Sequence, residues 1–317
     1  MAVYSFLSDA DVANIAQIYG FAEITQAKPI AEGVENSNYL LTFSDGSNAI
    51  FTIFEARVAV AELPYFLKLK QYLHENGYVC PLPIYTKDGD LSFELHGKQA
   101  AMVSFLAGKS VLQPDANHVF QAGEWLAKLH KAGEGFAMHR ANSEGFVVWQ
   151  ELRQKIAERA CTFEHLSWLE LIDNELQYQA NHQSHHLPSG IIHADFFPNN
   201  VFFDDNSQLC GVIDFYFACN DAYAYDLAIV ANAWCCNQAG DLQQSQYAAL
   251  LAGYNQVRLV TQIEVAAMPH LLRAAALRFL LTRLHDVLYP SENAILVPHN
   301  PEEYVNKLLH FRGLEKR

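Results

Sequence analysis

Residues 190–214 read GIIHADFFPNNVFFDDNSQLCGVID. Asn200 is followed by an apolar triplet, Val201-Phe202-Phe203, then a polar turn, Asp204-Asp205-Asn206, then a second apolar run ending Gly211-Val212-Ile213-Asp214. Two apolar runs around a turn rich in Asp and Asn predict a β-hairpin, because those side chains bond their own backbone and tolerate a tight bend. The hairpin carries an amide, Asn200, at its entry and a carboxylate, Asp214, at its exit.

Just upstream, His193, Asp195 and Asn200 are spaced H-x-D-x-x-x-x-N. Phosphoryl-transfer enzymes use this spacing to set an Asp where it accepts a hydroxyl proton and an Asn where it holds a metal. Mg²⁺ takes hard oxygen ligands and keeps several waters, so one carboxylate, one amide oxygen and nucleotide phosphates suffice to bind it. Asp214 and Asn200 fill the two protein roles, which leaves Asp195 to orient and deprotonate an alcohol. Singly, each residue has a plain structural use: Asp195 could cap the turn, His193 could be a satisfied core residue, and Asp214 could end a strand. Their occurrence together, with a predicted hairpin between them, decides for chemistry.

Toward the N-terminus the pattern is mostly that of strands. Residues 8–20 predict a helix opening on Ser8 and closing on Gly20; strands follow at 27–34, 38–43 and 49–54, with Asp45-Gly46 as a hairpin turn. An amphipathic helix over 61–76 tolerates Pro64 in its first turn. Short strands are predicted at 83–85 and 91–95 and a buried one at 99–106. At Ala107-Gly108-Lys109-Ser110 the period changes, and helices are expected over 116–131, 148–179, 221–236, 241–254 and 262–289. Between the first two strands, Glu32 to Asn38 offers turn-forming backbone to phosphates, with Gly33, Asn36, Ser37 and Asn38 as candidate contacts.

Composition narrows the function. In 317 residues, 51% are hydrophobic and 18% charged, which excludes intrinsic disorder and fibrous repeats. Lys and Arg total 21 against 35 Asp and Glu, a net charge of −14 that argues against nucleic acid or an anionic membrane as partner. An anionic substrate must then be held by a local device. The N-terminus carries Asp9 and Asp11 and no basic start, unlike a signal peptide. Six Cys without a C-x-x-C pair read as reduced thiols, so a cytoplasmic location is expected. The sequence carries no signal of oligomeric state.

HADFFPNN (193–200), IDFYFACNDAYAYDLA (213–228) and GEWLAKLH (123–130) resemble the aminoglycoside phosphotransferase and choline kinase superfamily. Within it, AEGVENSNYLL (31–41), NAWC (232–235) and AALRFLLTRLHD (275–286) resemble the kinase-like homoserine kinases, and the similarity runs from about residue 4 to 312. The resemblance implies an α+β, bilobal protein-kinase-like fold. Its small N-terminal antiparallel-sheet lobe would span 1–106 and its larger, mostly helical lobe 107–317. It also implies ATP and Mg²⁺ as cofactors and a small-molecule acceptor, L-homoserine. Asp195 would be the base, His193 would brace its loop, and Asn200 and Asp214 would hold the metal. Asp226 would be structural, and Val103 to Leu106 would be the inter-lobe hinge, bringing Ser104 and Leu106 to adenine.

One position departs from that pattern. Kinase-like folds place a phosphate-gripping Lys on the third strand, paired with a helix Glu; here Thr52 stands there. Either Arg57 reaches the phosphates, with Glu55 or Glu62 as partner, or the metal and the turn at 33–38 do more of the binding. For a zwitterionic acceptor, Arg278 and Arg283 are the candidate carboxylate ligands and Trp234 a candidate pocket wall, although a spacing of five puts the two Arg about 140° apart on a helix. Such residues also have a structural use, as partners for neighbouring carboxylates or carbonyls or as plain core.

Overall fold

The computed structural model describes residues 4–21, 23–30, 36–55, 59–182, 186–290 and 298–314. The chain divides into two compact units, one spanning Met1–Ala107 and the other Gly108–Ser291 with Pro298–Arg317.

The first unit is an antiparallel sheet with two helices. Helix α1 (Asp9–Tyr19) starts on Ser8, whose hydroxyl accepts the Asp11 N–H, and ends on Gly20 in the left-handed region at φ 67°. Strands β1 (Ile24–Ile30), β2 (Ser37–Phe43) and β3 (Asn48–Ile53) pair in sequence order. After a short 3₁₀ turn comes α2 (Leu63–Glu75), then β4 (Pro83–Ile84), β5 (Phe93–Leu95) and β6 (Lys98–Ser104), with β6 inserted between β3 and β4. Alternation along β2 buries Ser37, Tyr39, Leu41 and Phe43. Tyr39, Leu41, Phe51, Ile53, Ala100 and Met102 pack with Ile15 and Tyr19 of α1. Asn38 and Thr52, paired across β2 and β3, therefore lie on the sheet's opposite face.

The second unit is mostly helical: α3 (Ala116–Ala132), α4 (Phe146–Arg159), α5 (Phe163–Asn181), α6 (Tyr223–Trp234), α7 (Gln244–Asn255), α8 (Gln262–Leu288) and α9 (Glu302–Leu314). Helix α8 has the length and apolarity of a membrane span, and most of it is buried within its own unit against α4, α5, α6 and α9. Helices α3 and α7 approach closely because both carry Gly at the contact. A Cβ on Gly253 would sit 1.9 Å from the Phe120 carbonyl oxygen, and one on Gly123 2.2 Å from that of Leu250.

Four short strands complete this unit: β7 (Ser189–Ile192), β8 (Val201–Phe203), β9 (Leu209–Val212) and β10 (Cys219–Ala222). The predicted hairpin is β8–β9, with Val201 opposite Val212.

Two expectations are corrected, and one helix is added. The helical stretch 148–179 is two helices, because Thr162 caps a new start by accepting the His165 N–H at 3.1 Å. Residues 219–222 form a strand on β7, with Cys219 opposite Ile192, and the helix starts only at Tyr223; pairing with a distant strand overrides local periodicity there. Helix α9 was not anticipated, though Tyr304, Val305, Leu308 and Phe311 form its buried stripe.

Candidate active site

The segment 193–200 is held from beneath by Asp226, fully buried in the first turn of α6. Its Oδ2 accepts the His193 N–H at 2.8 Å and its Oδ1 the Ala194 N–H at 2.9 Å. Burial pushes this carboxyl up, and the donors from His130 and His193 outweigh it, so Asp226 sits below the ordinary carboxylate value and is anionic. His130 is held below its usual value by burial, so it is neutral. Its Nε2–H donates to Asp226 Oδ2 at 3.0 Å, and its Nδ1 accepts the Tyr254 hydroxyl at 2.7 Å.

His193 links the two halves of the motif. Burial drives its imidazole down to about 4, so the ring is neutral. Nε2–H donates to the Ile213 carbonyl at 3.0 Å and Nδ1 accepts the Asp195 N–H at 3.2 Å. The Ile213 N–H returns to the Asn200 carbonyl at 2.9 Å. Asp195, Asn200 and the residue before Asp214 are thereby joined through one ring and one main-chain bond.

Asn200 donates from Nδ2 to both the Asp195 carbonyl (2.9 Å) and Asp195 Oδ2 (3.0 Å). Its Oδ1 accepts nothing from the described residues and remains available as a hard oxygen ligand. Asp214 is exposed at the exit of β9, with φ at 62°. One amide oxygen and one carboxylate suit Mg²⁺ completed by phosphates and water. Among the described residues no three His, Cys, Asp or Glu form a metal cluster; Asn200 and Asp214 are residues that could hold such an ion.

The three expected acceptor contacts have other partners. Arg278 donates from Nη1 to the Ala194 carbonyl at 2.5 Å, and Trp234 from Nε1 to the Phe196 carbonyl at 2.7 Å. Arg283 donates to Glu303 Oε2 at 2.5 Å and lies over the Tyr304 ring. Only two of the three therefore meet the segment around Asp195, and they meet its main chain. A cavity of about 320 Å³ opens beside Pro198 and Trp234, lined also by Cys236, Asn237, Gln243 and Gln246.

In the sheet unit, Gly33 and Arg57 lie outside the described residues. The Ser37 hydroxyl donates to Glu55 Oε1 at 2.6 Å and accepts the N–H groups of Tyr4 and Ser5. Asn36 Oδ1 accepts the Glu55 N–H at 3.2 Å. The side chains of Asn36 and Ser37 are thus buried and engaged by Glu55, Tyr4 and Ser5. The partner of Glu55 is Lys98 on β6, which shares the α1 face and cannot replace a cation on the Thr52 face. Thr52 itself donates to Asn38 Oδ1 at 2.8 Å. Ser104 binds Leu82 twice, its N–H to the Leu82 carbonyl and its hydroxyl accepting the Leu82 N–H, and Leu106 follows in irregular chain. Nothing local in the sequence singles out Tyr254 or Lys98; the apolar period around His130 places it only on the inner face of α3.

The sequence profile of the phosphotransferase enzyme family matches residues 26–260. Homoserine kinase from Sinorhizobium fredii is 44% identical over 314 residues, covering 99% of this chain and 95% of its own. That from Allorhizobium ampelinum is 45% identical over 315 residues, covering 99% and 97%. Among solved structures, the amicoumacin kinase hAmiN in complex with AMP-PNP, Ca²⁺ and Ami superposes with a TM-score of 0.72 at 16% identity, covering 98% of this chain and 94% of that one. The aminoglycoside phosphotransferase of Alicyclobacillus acidocaldarius does so at 0.69 and 18%, covering 98% and 96%. At such identities these two share the fold.

Proposed function

The chain belongs to the phosphotransferase enzyme family, and from that membership we infer that it is an ATP-dependent kinase of the hydroxyl of L-homoserine, producing O-phospho-L-homoserine for threonine biosynthesis. The observation that carries the substrate is identity of 44–45% over 99% of the chain with proteins named homoserine kinase. ATP with a divalent metal supplies the phosphoryl group.

For the residues, we propose that Asp195 accepts the hydroxyl proton and aligns the nucleophile, that His193 fixes the loop, and that Asn200 and Asp214 hold Mg²⁺. Three features support this. Asn200 spends its N–H groups on Asp195 and keeps its oxygen; Asp214 is exposed; and His193 couples the two segments. Positioning and charge stabilisation then supply most of the acceleration. For adenine we propose the main chain of Leu106, which no described residue hydrogen-bonds. For the phosphates we propose the turn at 33–38 with the Asn38–Thr52 pair beside it. We propose a cytoplasmic location, which six cysteines with no disulfide among the described residues support.

The test is a panel of acceptors in an ADP-release assay with the purified protein. Turnover of L-homoserine well above choline, an aminosugar and methylthioribose is expected. Preference for one of those would assign another kinase activity, and nucleotide binding with no acceptor turned over would make the chain a binding module.

A further inference from the structure

Asp195 stands between two buried donors. On its N-terminal side Arg278, in the middle of α8, donates to the Ala194 carbonyl at 2.5 Å. On its C-terminal side Trp234, the last residue of α6, donates to the Phe196 carbonyl at 2.7 Å. The two residues are 2% and 4% exposed. Asp226 holds the Ala194 N–H, so the peptide groups flanking the base are fixed from three points.

Arg278 is an unusual way to secure a carbonyl. Burying a guanidinium without a paired anion is costly, yet among the described residues no carboxylate lies within ion-pair distance of it and its Nε is buried without a partner. The rings of Phe279 and Phe217, at 4.6 and 5.4 Å, flank it. Among the described residues the contact with the loop is the one hydrogen bond of its guanidinium. That bond falls on Ala194, which holds a left-handed φ of 62° without a glycine's freedom. Such a backbone persists only when its surroundings over-determine it.

We propose that Arg278 and Trp234 are positioning residues, which hold the Asp195 carboxylate in line by gripping the carbonyls on either side of it and do not contact the acceptor. This rests on Asp195 being the base of the homoserine kinase reaction. A displacement of about 1 Å at a reacting group can cost about a hundredfold in rate, so the clamp acts on kcat.

Trp234→Phe keeps the ring and removes the N–H; Arg278→Met removes the charge and the donors; Arg278→Lys restores a donor. Steady-state kinetics are paired with hydrogen–deuterium exchange of the peptide covering 193–200, recorded without any acceptor. Expected are a fall in kcat of about tenfold for Trp234→Phe and about a hundredfold for Arg278→Met, partial rescue by Arg278→Lys, KM values for homoserine and ATP within about twofold, and faster exchange confined to the loop. A raised KM for homoserine with kcat retained would make Arg278 an acceptor ligand and overturn the clamp, as would unchanged loop exchange in all three variants. Absence of homoserine turnover by the wild-type protein would defeat the functional reading alone, because exchange reports on the clamp without substrate.

Discussion

The Nδ1 atom of His193 accepts the main-chain N–H of Asp195 at 3.2 Å, which only a neutral imidazole can do. The same ring donates from Nε2 to Ile213. Protonation would turn the accepting nitrogen into a second donor facing an N–H, and the link between the Asp195 loop and the β9 exit would break.

A pH dependence of stability follows. Unfolded, a histidine takes up its proton near 6.5; in the fold His193 does so only near 4, because burial disfavours the charge. Between those values the unfolded chain binds the extra proton. Stability from this group is therefore complete above about pH 6.5 and drains toward pH 4, by up to about 1.4 kcal/mol per pH unit. His130, lowered by burial as well, adds to the slope. Thermal melts between about pH 7 and 5 should show falling Tm, and His193→Gln should flatten the trend; parallel curves for the two proteins would count against it.

Asp195→Asn should leave the fold intact, since the amide oxygen can still accept from Asn200. Its kcat should drop at least about a hundredfold, the scale of general-base assistance. A purified, folded variant that turns over normally would remove Asp195 from the proton transfer.

At Asp214 the carboxylate and the backbone can be separated. Its φ of 62° costs a non-glycine residue roughly 1–2 kcal/mol. Asp214→Gly should therefore lose Mg²⁺-dependent ATP binding while melting no lower than wild type. Calorimetric titrations with and without Mg²⁺, alongside a melt, check both halves; retained Mg²⁺ dependence would disprove the ligand role.

The crossing of α3 and α7 leaves no room at Gly253 or Gly123. Gly253→Ala, whose methyl would meet the Phe120 carbonyl oxygen at 1.9 Å, should cost about 1–3 kcal/mol or more. Gly313→Ala on α9 has open space around it and should be neutral or stabilising by up to about 1 kcal/mol. Equal melting temperatures for the two variants would contradict the packing argument.

What was legible in the sequence is what is local. The β8–β9 hairpin shows in two apolar runs around Asp204-Asp205-Asn206, and α1 in its Ser8 and Gly20 caps, because each signal lies within a few residues of its effect. The strand at 219–222 was hidden, since its reason for being extended is a partner some thirty residues upstream. The partners of Arg278 and Arg283 were hidden in the same way: Ala194 and Glu303 lie 84 and 20 residues away. A basic residue on an apolar helix announces that it needs a partner, without naming one. The bond made by the Ser37 hydroxyl was hidden for a subtler reason, as alternation along β2 turns it toward α1 and the half-buried Glu55.

The short segment carrying Asp195 is tethered almost wholly to interior groups: Asp226 and Trp234 from one helix, Arg278 from another, and the Ile213 carbonyl through His193. Few of its anchors belong to the surface, so the exterior of the protein can drift in sequence without retuning the groups that aim the base. Substitutions accumulated under selection for retained turnover should accordingly spread over exposed positions and leave the tethers untouched.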